Sequence, residues 1–265
     1  MSIKKRAYNA LNSTLLGRRL LALNKMRIKI KRKGFYYTRS FFYDPDKKLL
    51  YISVSKAGNT SIKASLYSMP EMDDYRNVHS AVHDQKNRAR IARISEFSDY
   101  YKFTFVRNPF DRLVSCYENK LHSDRESLGV TIDELIYDSY LMGYLSKDRG
   151  FGDFARRVCR IPDKYADRHF VSQSFGMLDE SGRLIPDYVG KFENFAGDFE
   201  VIREKFDLAP LPHYNQTKKE KKNWMDYYDL DTARRVYERY KTDIQVFGYQ
   251  QTYEDLVAYI KSKGN

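Results

Sequence analysis

The run Leu49 to Val54, followed by Ser55-Lys56-Ala57-Gly58-Asn59-Thr60-Ser61, restricts the fold more than any other stretch of the chain. Residues 49–54 are apolar and β-branched, too short for a helix and suited to a strand buried on both faces. The run stops at a turn holding Gly58. Residues 60–68 then read as a helix that ends before Pro70. Such a turn presents free backbone N–H groups and the positive end of a helix dipole, which suits an anion. Gly58 permits close approach, Thr60 and Ser61 bring hydroxyl donors, and Lys56 brings a point charge. A plain tight turn with a helix N-cap accounts for the same residues. The lysine precedes the glycine, whereas the ATP-binding loop places it after a second glycine and before Ser/Thr, so the usual ATP loop is absent.

The rest of the chain continues the strand–helix alternation. Strands are expected at 102–106 and 188–192. Helices are expected at 86–97, 111–121, 131–145, 151–160, 195–206, 230–242 and 252–261, with a polar, basic loop at 213–226. Pro109 sits where the first turn of a helix tolerates it. Alternation of this kind implies an α/β fold with a parallel sheet covered on both faces.

A second motif, Phe103-Thr104-Phe105-Val106-Arg107-Asn108-Pro109-Phe110-Asp111-Arg112-Leu113-Val114-Ser115-Cys116-Tyr117, places Arg107 at the C-terminal end of a strand. Open parallel sheets bind ligands at that end. Ser115 follows eight residues later in the helix. A forked guanidinium and a hydroxyl can hold a phosphate monoester. A capping or ion-pairing arginine is the other reading of Arg107.

Together the two motifs resemble those of the carbohydrate sulfotransferases of the chondroitin, dermatan and heparan 2-O type, which use 3′-phosphoadenosine 5′-phosphosulfate (PAPS). The resemblance continues through "RHFVSQSF" (168–175), "YVGKFENFAGDFEVI" (188–202), "LPHYNQTKK" (211–219) and "YKTDIQVFGY" (240–249), in family order. It covers roughly residues 45–250. It implies a P-loop-like three-layer fold, a central parallel sheet flanked by helices. It also implies that Ser55, Lys56, Ala57, Gly58, Asn59, Thr60 and Ser61 surround the 5′-phosphosulfate, and that Arg107 and Ser115 grip the 3′-phosphate. Thr217, Lys218 and Lys219 fall in the segment that closes over the cofactor, and a solvated basic loop explains them equally. Ser55 stands where the family usually has proline. No metal is required. Lys56 is expected to act in catalysis as well as in binding.

The acceptor hydroxyl needs a base that titrates near neutral pH, which suits histidine. His79 and His83, in "NVHSAVHD", are the candidates, because related enzymes carry a histidine in this interval. A carboxylate such as Glu118 is the alternative. His169 and His213 lie in family-like segments as structural or substrate-facing residues. Trp224 and the tyrosines 227, 228, 237 and 240 could stack on sugar rings, with helix packing as the other reading.

The net charge of +12 is localised. Residues 1–40 hold 12 Lys and Arg and no acid, and the remaining 35 bases balance 35 acids. Leucines among these bases recur at helical spacing. The expectation is therefore a basic amphipathic N-terminal helical extension (1–40) on a catalytic domain (41–265), the extension either packed on protein or lying on an anionic membrane surface. No run of ~18 apolar residues predicts a membrane span. Cys116 and Cys159 are the only cysteines, too few for a disulfide scaffold, and read as core residues. These features point to a cytoplasmic enzyme, with a peripheral contact at the inner face of the membrane. The expected partner is a carbohydrate acceptor, with no nucleic acid. The competing functions are a small-molecule P-loop kinase and a non-catalytic polyanion-binding protein. The kinase would need a lysine directly before Ser/Thr. The polyanion binder would leave Arg107 to Tyr117 unexplained.

Overall fold

In a computed structural model, the described residues are Thr14, 40–68, 88–90, 96–118, Leu145, 150–212 and 222–263. The amphipathic helix expected before residue 40, the helix at 131–144, and His79, His83, His122, His213, Thr217, Lys218 and Lys219 lie outside them.

Five strands form one sheet in the order β3-β1-β2-β4-β5. They are β1 (Ser40–Asp44), β2 (Leu49–Ile52), β3 (Arg88–Arg90), β4 (Tyr101–Val106) and β5 (Tyr188–Lys191). β2, β4 and β5 are parallel. β1 pairs antiparallel with β2 and with β3, so the sheet is mixed rather than wholly parallel. β1 and β2 are joined by a tight turn in which Asp44 accepts from the N–H groups of Asp46 and Lys47 at 3.0 and 3.1 Å, a local Asx arrangement that reverses the chain. The helix expected over 86–97 is corrected at 88–90, which pair with β1 as a strand.

The helices are α1 (Asn59–Leu66), α2 (Pro109–Tyr117), α3 (Phe151–Cys159), α4 (Phe195–Phe206), α5 (Leu230–Arg239), α6 (Lys241–Val246) and α7 (Gln250–Lys263). Every residue from Phe103 to Val106 is buried, so β4 is covered on both faces. Phe105 meets Phe195 and Phe199 of α4 at ring-centroid distances of 5.4 and 6.1 Å. Burying such a ring stabilises the fold by roughly 1.5–3 kcal/mol. Gly190 makes room for it, since a Cβ there would lie 2.4 Å from the Phe105 ring.

The aromatic cluster near the C-terminus is packing. Tyr228 donates to the Phe110 carbonyl at 2.9 Å and Tyr240 to that of Phe170 at 2.6 Å. Trp224 stacks on Phe110, and Tyr237 packs on Tyr253 at 4.3 Å between centroids. A buried hydroxyl needs a partner, and these carbonyls supply it. Cys116 is buried and Cys159 half-buried, both unbridged.

Register positions the site. Ile52 pairs with Thr104 and Val106 with Lys191. The chain therefore leaves β2 and β4 side by side at the same C-terminal edge. The first motif follows β2 and the second follows β4.

Candidate active site

The loop after β2 is held in a turn that ordinary residues resist. Lys56 has φ 73° and Gly58 φ 72°, the left-handed region that costs an L-residue about 1–2 kcal/mol. Gly58 meets a second constraint, because a Cβ on it would lie 2.4 Å from the Phe195 ring. Ala57, between Lys56 and Gly58, is fully buried. Ser55, Lys56, Gly58, Asn59, Thr60 and Ser61 are partly exposed around it. The Ser53 hydroxyl donates to Asn59 Oδ1 at 2.9 Å, tying the first residue of α1 back to the strand end.

α1 begins differently from α2 to α6. Its N-cap is Gly58, without a side-chain cap, and its first turn holds no acid. Each of α2 to α6 carries an aspartate in its first turn. Acids there normally answer the positive end of the helix. At α1 no acid in the first turn does so, and Lys56 stands just before it.

Arg107 lies directly against this loop. Its Nη1 donates to the Lys56 carbonyl at 3.1 Å. Its Nε and Nη2 donate to Asp111 Oδ2 at 2.8 and 2.7 Å, and its guanidinium lies 4.5 Å from the centre of the Phe192 ring. The arginine is thus ion-paired, as one reading of the sequence had it. Its own backbone is clamped by Gln173, whose Oε1 accepts from Arg107 N at 2.9 Å and whose Nε2 donates to Arg107 O at 2.7 Å. The amide imitates a neighbouring strand. Gln173 and Ser174 in turn donate their N–H groups to the buried Asp243 at 2.7 and 2.8 Å. Desolvation raises the Asp243 carboxyl above its usual range, and these hydrogen bonds oppose the shift.

α2 is anchored at its start by Glu193, which accepts from Asn108 N at 2.6 Å and from the Tyr249 hydroxyl at 3.0 Å. The Asn108 side chain caps the helix by accepting from Phe110 N at 3.0 Å. On α2 the part-exposed positions are Asp111, Ser115 and Glu118, and the intervening residues are buried. That spacing draws one stripe along the helix, so Ser115 sits one turn beyond Asp111 on the same face. Glu118 accepts from the Tyr227 hydroxyl at 2.9 Å. Burial, with Glu118 beside it, pushes that phenol up to about 12.

Arg112 was quoted in the second motif without a role. It is 2% exposed, and it joins the two motifs from below. Its Nε donates to the Ser55 carbonyl at 3.0 Å, its Nη1 to Val171 O at 2.8 Å and its Nη2 to Arg168 O at 3.3 Å. The backbone of Ser55 is thus held by this guanidinium. Next to that brace, His169 Nδ1 lies 2.6 Å from Asp167 Oδ1. The segments around 168–175, 188–202 and 240–249 therefore do local work: they hold Arg107, the start of α2 and the loop in place.

A sulfotransferase family model matches residues 39–250. Carbohydrate sulfotransferase 10 of Pongo abelii is 26% identical over 255 residues, covering 82% of this chain and 68% of that protein. The Homo sapiens protein of the same name is 26% identical over 261 residues with the same coverage, and that of Danio rerio 24% identical over 256 residues. No solved structure matches. These vertebrate relatives overturn the expectation of a cytoplasmic enzyme. Among the described residues no helix is long and apolar enough to cross a membrane, which leaves the compartment open. A match running from the first strand past both motifs to the start of the last helix places this chain in the sulfotransferase family.

Proposed function

We propose that the chain moves a sulfuryl group from PAPS to a hydroxyl of a carbohydrate. The observation that carries this reading is the contact of Arg107 with the carbonyl of Lys56 at 3.1 Å. It sets two separate anion grips side by side at one sheet edge. One is the loop of Lys56 and Gly58 opening α1, and the other is the guanidinium opening α2. A nucleotide phosphorylated at both the 3′ and 5′ positions needs two such grips. The shape of the loop supports the fit, because the left-handed φ of 72° at Gly58, with the Phe195 ring packed where a Cβ would lie, holds the turn that brings the start of α1 beside Lys56. The names of the relatives that match 82% of the chain support a carbohydrate acceptor.

When bound, PAPS supplies the sulfuryl group on a phosphate leaving group. The residues of the chain do the rest. The Lys56 ammonium and the N–H groups at the start of α1 meet the charge that develops on the leaving oxygen, where fixed donors act without reorganisation. Ser55, Asn59, Thr60 and Ser61 line that cradle, and the buried Ala57 packs behind it. Arg107 and Ser115 hold the 3′-phosphate, and Thr217, Lys218 and Lys219 close over the nucleotide. His79 or His83 removes the proton from the acceptor hydroxyl.

The test is calorimetric titration of adenosine 3′,5′-bisphosphate into the protein, with ATP–Mg²⁺ as control and Lys56→Ala and Arg107→Ala alongside. Micromolar binding of the bisphosphate, weak ATP binding and a loss of about 100-fold in Arg107→Ala are expected. Absent binding, or a preference for ATP–Mg²⁺, removes the proposal and leaves a family fold with another ligand.

A further inference from the structure

We propose that Asp111 is a positioning residue that aims the guanidinium of Arg107 at the nucleotide's 3′-phosphate. The inference rests on the reading of Arg107 given above.

The geometry is specific. Arginine has five N–H donors. Nε and Nη2 each give one hydrogen to the same oxygen, Asp111 Oδ2, and Nη1 gives one to the Lys56 carbonyl. Two hydrogens remain, one on each terminal nitrogen, and no described residue takes them. That is the number a bidentate contact with two phosphate oxygens uses. The guanidinium carbon sits over the Phe192 ring, 4.5 Å from its centroid. Asp111 thus engages the Nε–Nη2 side of the guanidinium and the Lys56 carbonyl engages Nη1. Asp111 and Ser115 share one part-exposed stripe of α2, so the carboxylate that holds Arg107 and Ser115 lie on the same face of the helix.

Asp111 could instead act as a latch that covers Arg107 until a phosphate displaces it. Two observations favour aiming. All contact with Asp111 runs through one carboxylate oxygen, Oδ2, which takes Nε and Nη2 together. And the Asp111 side chain is 23% exposed, against 12% for Arg107. Water therefore screens its repulsion toward an incoming phosphate, whereas no solvent restores the fixed direction of a freed arginine.

The two roles separate on substitution. Asp111→Asn keeps one oxygen able to accept both hydrogens and removes the charge. Asp111→Ala removes both. Calorimetry of the full chain with adenosine 3′,5′-bisphosphate and with adenosine 5′-phosphate, alongside melting of each variant, decides between them. Asp111→Ala is expected to bind the bisphosphate about tenfold more weakly and to leave adenosine 5′-phosphate unchanged. Asp111→Asn should stay within about threefold of the parent protein. Unchanged or tighter bisphosphate binding by Asp111→Ala would overturn the aiming role while the sulfotransferase reading stands. So would an equal loss for both nucleotides, or an asparagine variant as weak as the alanine one. If the parent protein binds no bisphosphate, the underlying reading falls and this inference falls with it.

Discussion

Arg112 donates its Nε–H to the carbonyl of Ser55 at 3.0 Å, so the helix of the second motif also fixes the loop of the first. The bond spans 57 positions in sequence. It is one of three that this guanidinium makes to backbone carbonyls in a buried setting, where a donor lost leaves an acceptor without a partner. Arg112→Met is expected to lower stability by about 2–4 kcal/mol, measured by urea denaturation. Arg112→Lys should recover part of it, since an ammonium cannot reach three carbonyls set around a planar fork. Stability equal to the parent protein in either variant would show that the brace carries no energy.

Gly58→Ala meets two separate penalties, a left-handed φ of 72° and a Cβ 2.4 Å from the Phe195 ring. The first costs about 1–2 kcal/mol and no neighbour can relieve it. The second is relieved by shortening the neighbour. In a double-mutant cycle with Phe195→Ala, the alanine at 58 should cost about 1 kcal/mol less than it does in the parent. Additive losses would mean that the backbone angle alone excludes a side chain.

Much of this site is written locally, and that part was legible in sequence. The turn 55–58, the proline-started helix α2 and the run 195–206 each announce themselves within a dozen residues, through a glycine, a proline or an apolar period. β1 and β3 do not. Their pairing depends on partners up to 50 residues away, as in Ser40 with Arg90, and the short, basic Arg88–Arg90 carries no apolar alternation to mark it as a strand. The roles of Gln173, Glu193 and Asp243 were hidden for the same reason. Their contacts with residues 107, 108, 173 and 174 cross 66 to 85 positions, and a polar residue does not state in advance which backbone it will hold. Asp111 was visible only as an unassigned position of the motif.

Cys159, at the end of α3, tests the reading of the cysteines as inert. Burial pushes its thiol up to about 11. A thiolate is the reactive form, so at pH 8 its alkylation by iodoacetamide should be roughly 200-fold slower than that of a free thiol of pKa ~8.5. The rate should climb about tenfold per pH unit until near 11. The sign for stability follows. The folded thiol holds its proton more tightly than the unfolded one, so its contribution is present below the unfolded pKa and is lost as pH rises through the folded value. Rapid labelling at pH 8 in the folded protein would contradict this environment.

Gln173 offers the most direct test of how the second motif is built. Its amide accepts from Arg107 N and donates to Arg107 O, at 2.9 and 2.7 Å, in a position with no solvent exposure. Gln173→Glu keeps the shape and the acceptor but replaces the donor with an oxygen facing a carbonyl. At neutral pH the introduced carboxylate is buried against that carbonyl, a change expected to cost about 3 kcal/mol or more. Protonation reverses it, because a carboxylic acid can donate to Arg107 O as the amide did. Burial and the facing carbonyl both raise the folded-state pKa of the introduced group. Its destabilisation should therefore be largest at pH 7 and shrink as pH falls through that raised value, toward the unfolded carboxyl. Chemical denaturation of variant and parent across that range, taken as a difference, isolates the group from the other titrations. A difference that stays flat with pH would mean that the amide's donor does not hold Arg107. The guanidinium would then owe its place to Asp111, Lys56 and Phe192 alone.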